Sequence, residues 1–169
     1  VIGQLMEAGK SDSTSSVLNY TYVISENVEI DVQEAFPAGW TPIGNVERPF
    51  GGVVYGVNGA TITLKNVVIP TSNIIAYAAK GTRNFEKTAG IFGCTSNSAM
   101  ISDVIVEKLI INSDDSTTVG GIVGKNYGVF DNITINSLNI KNGQYVGGIV
   151  GYNGGEVSHS VVKPGETLK

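Results

Sequence analysis

Residues 119–153 read VGGIVGKNYGVFDNITINSLNIKNGQYVGGIVGYN. The hexapeptide Val-Gly-Gly-Ile-Val-Gly at 119–124 returns at 146–151, 27 residues later. A fixed period in the twenties is typical of solenoids, in which each repeat forms one coil and buries its apolar face only against its neighbours. The sequence therefore predicts an all-β fold of stacked parallel coils. A meander of antiparallel hairpins with glycine turns is the alternative, but it does not explain so regular a period.

Weaker copies of the repeat extend toward the N-terminus. Residues 89–93 match 120–124, which lie 31 residues further on, and residues 52–56 match more loosely. Aligning these copies predicts about four coils. In a parallel solenoid, like residues of successive coils stack in register about 4.8 Å apart. The alignment predicts three apolar columns and one polar column: Leu64, Ile101, Phe130, Val157; Val67, Val104, Ile133, Ser160; Ile69, Val106, Ile135, Val162; and Asn66, Asp103, Asn132, His159.

Each clean repeat continues as Gly-x-Asn-x-Gly, at 124–128 and at 151–155. Glycine and asparagine adopt positive φ at low cost, so this pattern predicts a tight corner between strands.

The repeat resembles the GLUG motif, Gly-Gly-(Leu/Ile)-Val-Gly-x-Asn-x-Gly followed by an apolar strand. The match is close at 120–135 and 147–162 and weaker at 89–106, where Asn97 comes two places late. Residues 40–62 look like the coil that precedes such repeats. The resemblance implies a right-handed parallel β-helix on a secreted or surface-attached bacterial protein, and it implies no particular reaction.

The sequence predicts a single domain, 1–169, in three parts. Residues 1–49 would form a cap and the first strands: a short amphipathic helix over 2–9 ending at Gly9, a polar loop over 10–16, and strands over 17–24 and 28–32. Residues 50–162 would form the coils, and residues 163–169 a tail or a truncated coil. Trp40, in a loop rich in Pro and Gly, is expected to pack onto the core.

The spacing lengthens over Pro70 to Thr88, which carries about ten residues more than the 27-residue repeat. Residues 73–81 predict an irregular strand and loop, with a short helix ending at Gly81 as the alternative. Loops that project from a rigid scaffold often carry recognition residues. This excursion is therefore the candidate binding patch: Tyr77, Lys80, Arg83, Asn84, Phe85 and Lys87.

Composition narrows the possible partners. Charged residues make up 15% of the chain, the net charge is −4, and there is no basic run. Nucleic-acid binding, which needs a Lys/Arg stripe, is not expected. No apolar run approaches the roughly 20 residues of a membrane span. Val1 is not an initiator methionine, so the chain is interpreted as a mature form or as part of a longer protein. The extracellular or cell-surface location is what the resemblance to GLUG repeats implies.

The residue types that carry chemistry do not form a catalytic, cofactor or metal site in the sequence. Cys94 is the only cysteine and His159 the only histidine. The neighbour of His159 in its column would be Asn132, which is neither an orienting acid nor a nucleophile. Asp103 and Asp131 are one position out of step, so they would point to opposite faces. Asp114 and Asp115 lack the further oxygen ligands of a calcium site.

The sequence is compatible with three classes of function. The sequence favours a non-enzymatic surface module, of adhesin type or a structural scaffold, that binds a glycan or a host protein. A carbohydrate-active β-helix is the alternative, by analogy of fold. A lattice-binding solenoid would need threonines in register, and Thr61, Thr63 and Thr134 are not expected to form a column.

Overall fold

The computed structural model describes residues 1–164. Strands account for 47% of the chain, helices are few, and parallel coils stack in about five turns. The predicted all-β parallel solenoid with a short N-terminal helix is therefore confirmed. Of the predicted tail over 163–169, residues 165–169 lie outside the described part of the chain.

The elements follow one another coil by coil. The chain begins with α1 (Ile2–Ala8) and a 3-10 helix (Asp12–Asn19). The first coil contains β1 (Thr21–Ile24) and β2 (Val28–Asp31), followed by α2 (Val32–Ala35). The second contains β3 (Val53–Gly56), β4 (Ile62–Lys65) and β5 (Val67–Ile69). A 3-10 turn (Thr71–Asn73) and β6 (Tyr77–Ala78) lead to the third coil.

The last three coils follow the clear repeats. The third contains β7 (Phe85–Ala89), β8 (Phe92–Cys94), β9 (Met100–Val106) and β10 (Leu109–Ile111). The fourth contains β11 (Thr117–Gly120), β12 (Val123–Asn126) and the long β13 (Val129–Ile140). The fifth contains β14 (Tyr145–Gly147), β15 (Val150–Asn153), β16 (Glu156–Ser158) and β17 (Val161–Pro164).

Three sheets run along the solenoid. In the largest, β1, β3, β9 and β13 pair in that order, and β2 pairs with β4, which also pairs with β9. Strand β10 pairs with the end of β13, and β5 pairs with β10. Strands β16 and β17 pair with β13 from the other side. The second has the order β6-β7-β11-β14, and the third has the order β8-β12-β15. Within residues 1–164 only β6 and β7 pair antiparallel; the other strand pairs are parallel.

The extra coil comes from the strands near the N-terminus. β1 pairs in register with β3, and β2 pairs with β4, so these segments form a coil of their own. The strand predicted over 17–24 begins only at Thr21, because a 3-10 helix occupies the residues predicted as a loop and as the start of that strand.

The apolar columns are as predicted in the last three coils. Ile101, Phe130 and Val157 are register partners, and Gly121 donates its amide to the carbonyl of Gly148 at 3.1 Å. Phe130 and Trp40 are buried, and Trp40 Nε1 donates to the carbonyl of Ile91 at 2.9 Å. Ile122 and Ile149, which are equivalent in the 27-residue repeat, also stack, since the amide of Ile122 donates to the carbonyl of Ile149.

The register predicted for the second coil is wrong. Val54, not Leu64, pairs with Ile101, and Leu64 pairs with Val106. Val67 and Ile69 pair instead with Leu109 and Ile111. The cause is a loop over 57–61 that interrupts the second coil between β3 and β4 and has no equivalent in the later coils.

The polar column contains Asp103, Asn132 and His159 as predicted, and all three have positive φ, at 66°, 54° and 48°. Asn132 Nδ2 donates to Asp103 Oδ1 at 2.8 Å. Asn66 also has positive φ, but it lies at the next corner and donates to Asp31 Oδ2 at 3.3 Å. The column therefore marks a corner at which the backbone itself requires the left-handed conformation.

At the Gly-x-Asn-x-Gly corners the prediction was right about the turn and wrong about its cause. None of these glycines or asparagines has positive φ. Space is the constraint: a Cβ at Gly124 would lie 2.8 Å from the backbone nitrogen of Ala89, and one at Gly128 would lie 2.5 Å from the carbonyl oxygen of Ala99. Neighbouring coils approach too closely there for a side chain.

The two ends of the solenoid differ. Leu5, Met6 and Ala8 of α1 are buried against the first coils, above an apolar cavity of about 130 Å³. Asn45 Nδ2 donates to the carbonyl of Gly9, which ends the helix with φ of −70° rather than a left-handed cap. At the other end, Val146 and Val161 of the last coil are exposed. None of the helices within residues 1–164 is long and apolar enough to cross a membrane.

Candidate functional site

The excursion that carries the candidate binding patch is a hairpin. Tyr77 pairs with Glu86, and Ala78 pairs with Phe85. The turn is closed by the amide of Thr82, which donates to the carbonyl of Ala79 at 2.9 Å, with Gly81 at φ +82°. A strand therefore occupies the middle of the excursion, and the alternative of a helix ending at Gly81 is wrong.

The hairpin separates the six patch residues. Lys80, Arg83, Asn84 and Phe85 are exposed around its tip, and Phe85 keeps 71% of its surface. Tyr77 and Lys87 are partly buried. Tyr77 lines a small pocket on the side of the hairpin near α1, whereas Lys87 Nζ donates to Asp114 Oδ2 at 2.6 Å. Four of the six residues thus form one exposed surface, which we call the hairpin tip: Lys80, Arg83, Asn84 and Phe85.

Both carboxylate oxygens of Asp114 accept hydrogen bonds from donors within the chain. Besides Lys87, its carboxylate accepts from the amide and hydroxyl of Ser116 and from the hydroxyl of Thr117. The hydrogen bond from Lys87, followed by those from Ser116, holds the pKa of Asp114 well below its usual range. Among the described residues, no group of three or more His, Cys, Asp or Glu side chains is placed to hold a metal ion.

A groove of about 370 Å³ lies between the hairpin and the outer face of β12, and none of its lining was predicted from the sequence as a binding site. It is lined by Val46, Pro49, Ala79, Glu86, Cys94, Thr95, Ser96, Asn97, Lys125 and Tyr127. The ring of Tyr152 lies beside it, with its centroid 6.0 Å from that of Tyr127. We call this feature the tyrosine groove.

Lys125 lies between the tyrosine rings and the hairpin. Its Nζ is 6.0 Å from the ring centroid of Tyr127, 5.5 Å from that of Tyr152, and 3.0 Å from Glu86 Oε1. Burial favours the neutral amine, but the hydrogen bond and the charge of Glu86 outweigh it, so the pKa of Lys125 is raised. The groove therefore contains a charged pair that is neutral overall.

Stacking of the coils brings these residues together. Lys125 and Tyr152 are register partners one coil apart. Tyr127 corresponds to Gly154 in the 27-residue period, and a Cβ at Gly154 would lie 2.8 Å from Tyr127 Cδ1. The absence of a side chain there makes room for the ring. The period could have indicated the pairing of Lys125 with Tyr152, but Tyr127 has no aromatic counterpart in the repeat.

Cys94, which lines the groove, is buried. Burial raises the pKa of its thiol to about 12, despite the nearby charge of Lys125. The thiolate is the nucleophilic form of cysteine, so this thiol has little nucleophilic character.

Asn132 is the column neighbour of His159 as predicted, but the imidazole also has an acidic partner, which was not expected. Its Nδ1 lies 2.7 Å from Asp131 Oδ1, because Asp131 and not Asn132 turns toward the ring. Ser158 donates to the same carboxylate oxygen, and Ser160 donates to a backbone carbonyl, so neither hydroxyl is positioned by the imidazole. The His159 side chain is 83% exposed. A nucleophile and base in hydrogen-bond contact are thus not assembled here.

Asp103 and Asp131 also lack the properties of a glycosidase pair. Burial tends to raise the pKa of Asp103, but hydrogen bonds from Asn132, Gly56 and Ser102 lower it overall. The hydrogen bond from His159 lowers the pKa of Asp131. A general acid in glycoside hydrolysis needs a raised pKa, and here both carboxyl groups are shifted the other way.

No protein-family model, curated protein or solved structure matches the chain. The arrangement of its own residues therefore carries the functional argument.

The threonines considered for lattice binding are partly aligned. Thr63 and Thr134 occupy the same register position two coils apart, but Ile105 lies between them, so the threonines do not form a column, as predicted. A continuous row of threonines is not formed at this position.

Proposed function

We propose that the chain is a non-enzymatic module of a bacterial cell-surface or secreted protein, in which a rigid solenoid presents binding surfaces of adhesin type. The hairpin tip is the observation that carries this proposal. It places exposed Arg83 and Phe85 on a two-stranded projection whose second strand, β7, is fixed into the scaffold by pairing with β11. The expected partner is a glycan or a host surface protein.

Two further points support the proposal. The repeats resemble the GLUG motif, which favours a bacterial surface or secreted location. The side chains that carry most catalytic chemistry are engaged otherwise: Cys94 is buried with a raised pKa, Asp114 is held by internal donors, and His159 has no hydroxyl partner.

A carbohydrate-active β-helix is the second candidate. The contact between His159 and Asp131 favours it, because an acid-oriented histidine is a common part of catalytic sites. The lowered pKa of both Asp131 and Asp103 speaks against a general acid at this place.

The test is a binding screen of the whole chain against a glycan array and against extracted host surface proteins. The tip variant is Arg83→Ser with Phe85→Ser, and the matched control is Lys108→Ser with Tyr20→Ser, which removes another exposed cation and another exposed aromatic ring. Deletion of residues 72–87 is unsuitable, because it removes Lys87, which pairs with Thr117 in the sheet.

Binding that is lost in the tip variant and kept in the control supports the proposal. Reducing ends released from a polysaccharide panel by the wild-type chain, and lost in Asp131→Asn, would replace the proposal with the enzyme alternative.

A further inference from the structure

Two exposed tyrosine rings lie side by side on the outer face of the solenoid, whereas the aromatic rings of the core are buried. Tyr127 keeps 41% and Tyr152 keeps 51% of their surface, with their planes inclined by 56°. Trp40, Phe50 and Phe130 are at most 1% exposed. A pair of exposed rings on a rigid face leaves apolar surface available to a ligand.

The backbone that carries Tyr127 is held firmly in place. The amide of Tyr127 donates to the hydroxyl of Thr95 at 3.2 Å, and the preceding Asn126 is fully buried. The ring lies against Gly154, which is too close to accept a side chain. A preorganised aromatic surface of this kind binds with little further loss of conformational entropy.

Polar groups line the same groove within reach of the rings. Lys125 uses one ammonium hydrogen for Glu86 and a second for the side chain of Tyr127, so one further donor remains, and Glu86 retains a second oxygen as acceptor. Asn97 is exposed and adds an amide at the groove lining. The volume of about 370 Å³ lies within the roughly 300–1,000 Å³ of small-molecule sites.

We propose that the tyrosine groove binds pyranose rings of a neutral polysaccharide. A pyranose has a face of C–H groups, which packs on an aromatic ring, and a rim of hydroxyl groups, which exchange hydrogen bonds with both donors and acceptors. Tyr127 and Tyr152 supply the apolar surface. Lys125, Glu86 and Asn97 supply the hydrogen-bonding groups.

The charges of the groove select a neutral glycan over an acidic one. Glu86 lies 3.0 Å from the Lys125 ammonium and neutralises it. A uronic acid carboxylate placed on Lys125 would therefore also approach Glu86, and like charges repel at such distances. A nucleic-acid phosphate placed on Lys125 would meet the same obstacle.

This inference rests on the proposed function as a binding module, but it concerns a different surface from the hairpin tip. The test is native affinity electrophoresis in gels that contain hydroxyethyl cellulose, xyloglucan, galactomannan, dextran or glycogen, with polygalacturonate as the acidic probe. The variants are Tyr127→Ala and Tyr152→Ala. Tyr55→Ala, which removes an exposed tyrosine of another sheet, is the control.

We expect at least one neutral polysaccharide to retard the wild-type chain and the control equally. Each groove variant should lose about tenfold in affinity, as expected for an aromatic contact of about 1.4 kcal/mol. Glu86→Gln should shift binding toward polygalacturonate, because it leaves the charge of Lys125 uncompensated. Circular dichroism of the three tyrosine variants checks that the exposed substitutions leave the fold intact.

Absence of retardation by all five neutral probes, or retardation that both groove variants keep, overturns the inference. Tip-dependent binding that persists in the groove variants would leave the proposed function standing in that case. Release of reducing ends would instead refute the non-enzymatic function while leaving saccharide binding at the groove intact.

Discussion

The side-chain amide of Asn126 donates to the carboxamide oxygen of Asn153, one coil further on, at 3.0 Å. The oxygen of Asn126 accepts from the hydroxyl of Thr95 on the preceding coil at 2.6 Å and from the amide of Gly128 at 2.9 Å. One fully buried side chain therefore links three successive coils and closes its own corner.

Asn126→Ala should be among the most destabilising single substitutions. It leaves the buried hydroxyl of Thr95 and the buried amide of Gly128 without this partner, and each such loss costs about 1–3 kcal/mol. We expect the free energy of unfolding in urea to fall by about 3 kcal/mol or more. Asn153→Ala is the matched control, since Asn153 is exposed on the last coil, and its effect should stay below about 1.5 kcal/mol. Equal losses would contradict the role of the buried link.

Phe130 lies at one end of a row of three aromatic rings in the core. Its ring centroid lies 5.8 Å from that of Phe92, which in turn lies 5.0 Å from Phe50. Phe130→Ala should lower the free energy of unfolding by about 3–5 kcal/mol, because it removes a fully buried side chain and leaves a cavity. Phe85→Ala, at an exposed ring, should stay within about 0.5 kcal/mol of the wild type.

His159→Asn should preserve the fold and any binding activity. The residue has φ of 48°, a conformation that asparagine adopts readily, and the column already contains Asn132. His159→Val should lower the free energy of unfolding by about 1–2 kcal/mol, because a β-branched residue is strained there. Chemical denaturation of both variants measures the difference. An activity abolished by His159→Asn in a folded chain would favour the enzyme alternative.

Asp114 should make stability depend on pH in acid. Its pKa is lowered in the folded chain from the usual 3.8, chiefly by the hydrogen bond from Lys87, so the unfolded chain binds the proton more readily. The stabilisation is present above the usual value and is lost as the pH falls below it. Asp114→Asn should therefore destabilise the chain at pH 7, with a difference from wild type that shrinks between about pH 5 and pH 2. Urea unfolding across this range checks the trend, with the exposed neighbour Asp115→Asn as the control.

The period alone was enough to predict the solenoid and the stacking of Ile101 with Phe130, because the last three coils have nearly the same length. It misplaced Leu64 and Asn66, because alignment by spacing cannot detect a loop inserted within a coil. Asn66 resembled the column residues by type and also has positive φ, so residue identity gave no warning of the error.

Prediction of the candidate site from the sequence was limited in a different way. The hairpin tip could be predicted as an excursion, since extra residues stand out against a fixed period. The tyrosine groove could not, because Tyr127 meets Tyr152 across coils at positions that are not equivalent in the repeat. The partner of Lys125, Glu86, comes from the hairpin, whose approach to β12 depends on its path in three dimensions.

Because the solenoid is a stack of similar coils, its length can change without a change in the shape of each coil. Helix α1 covers one end, and within residues 1–164 no strand pairs with the far edges of β14 to β17. Duplication of residues 119–145 would add one coil, and with it about 4.8 Å of axial height, without altering the contacts at either end. The distance between the two ends of such a chain would change by whole repeats, while the surface at its outermost coil would stay the same.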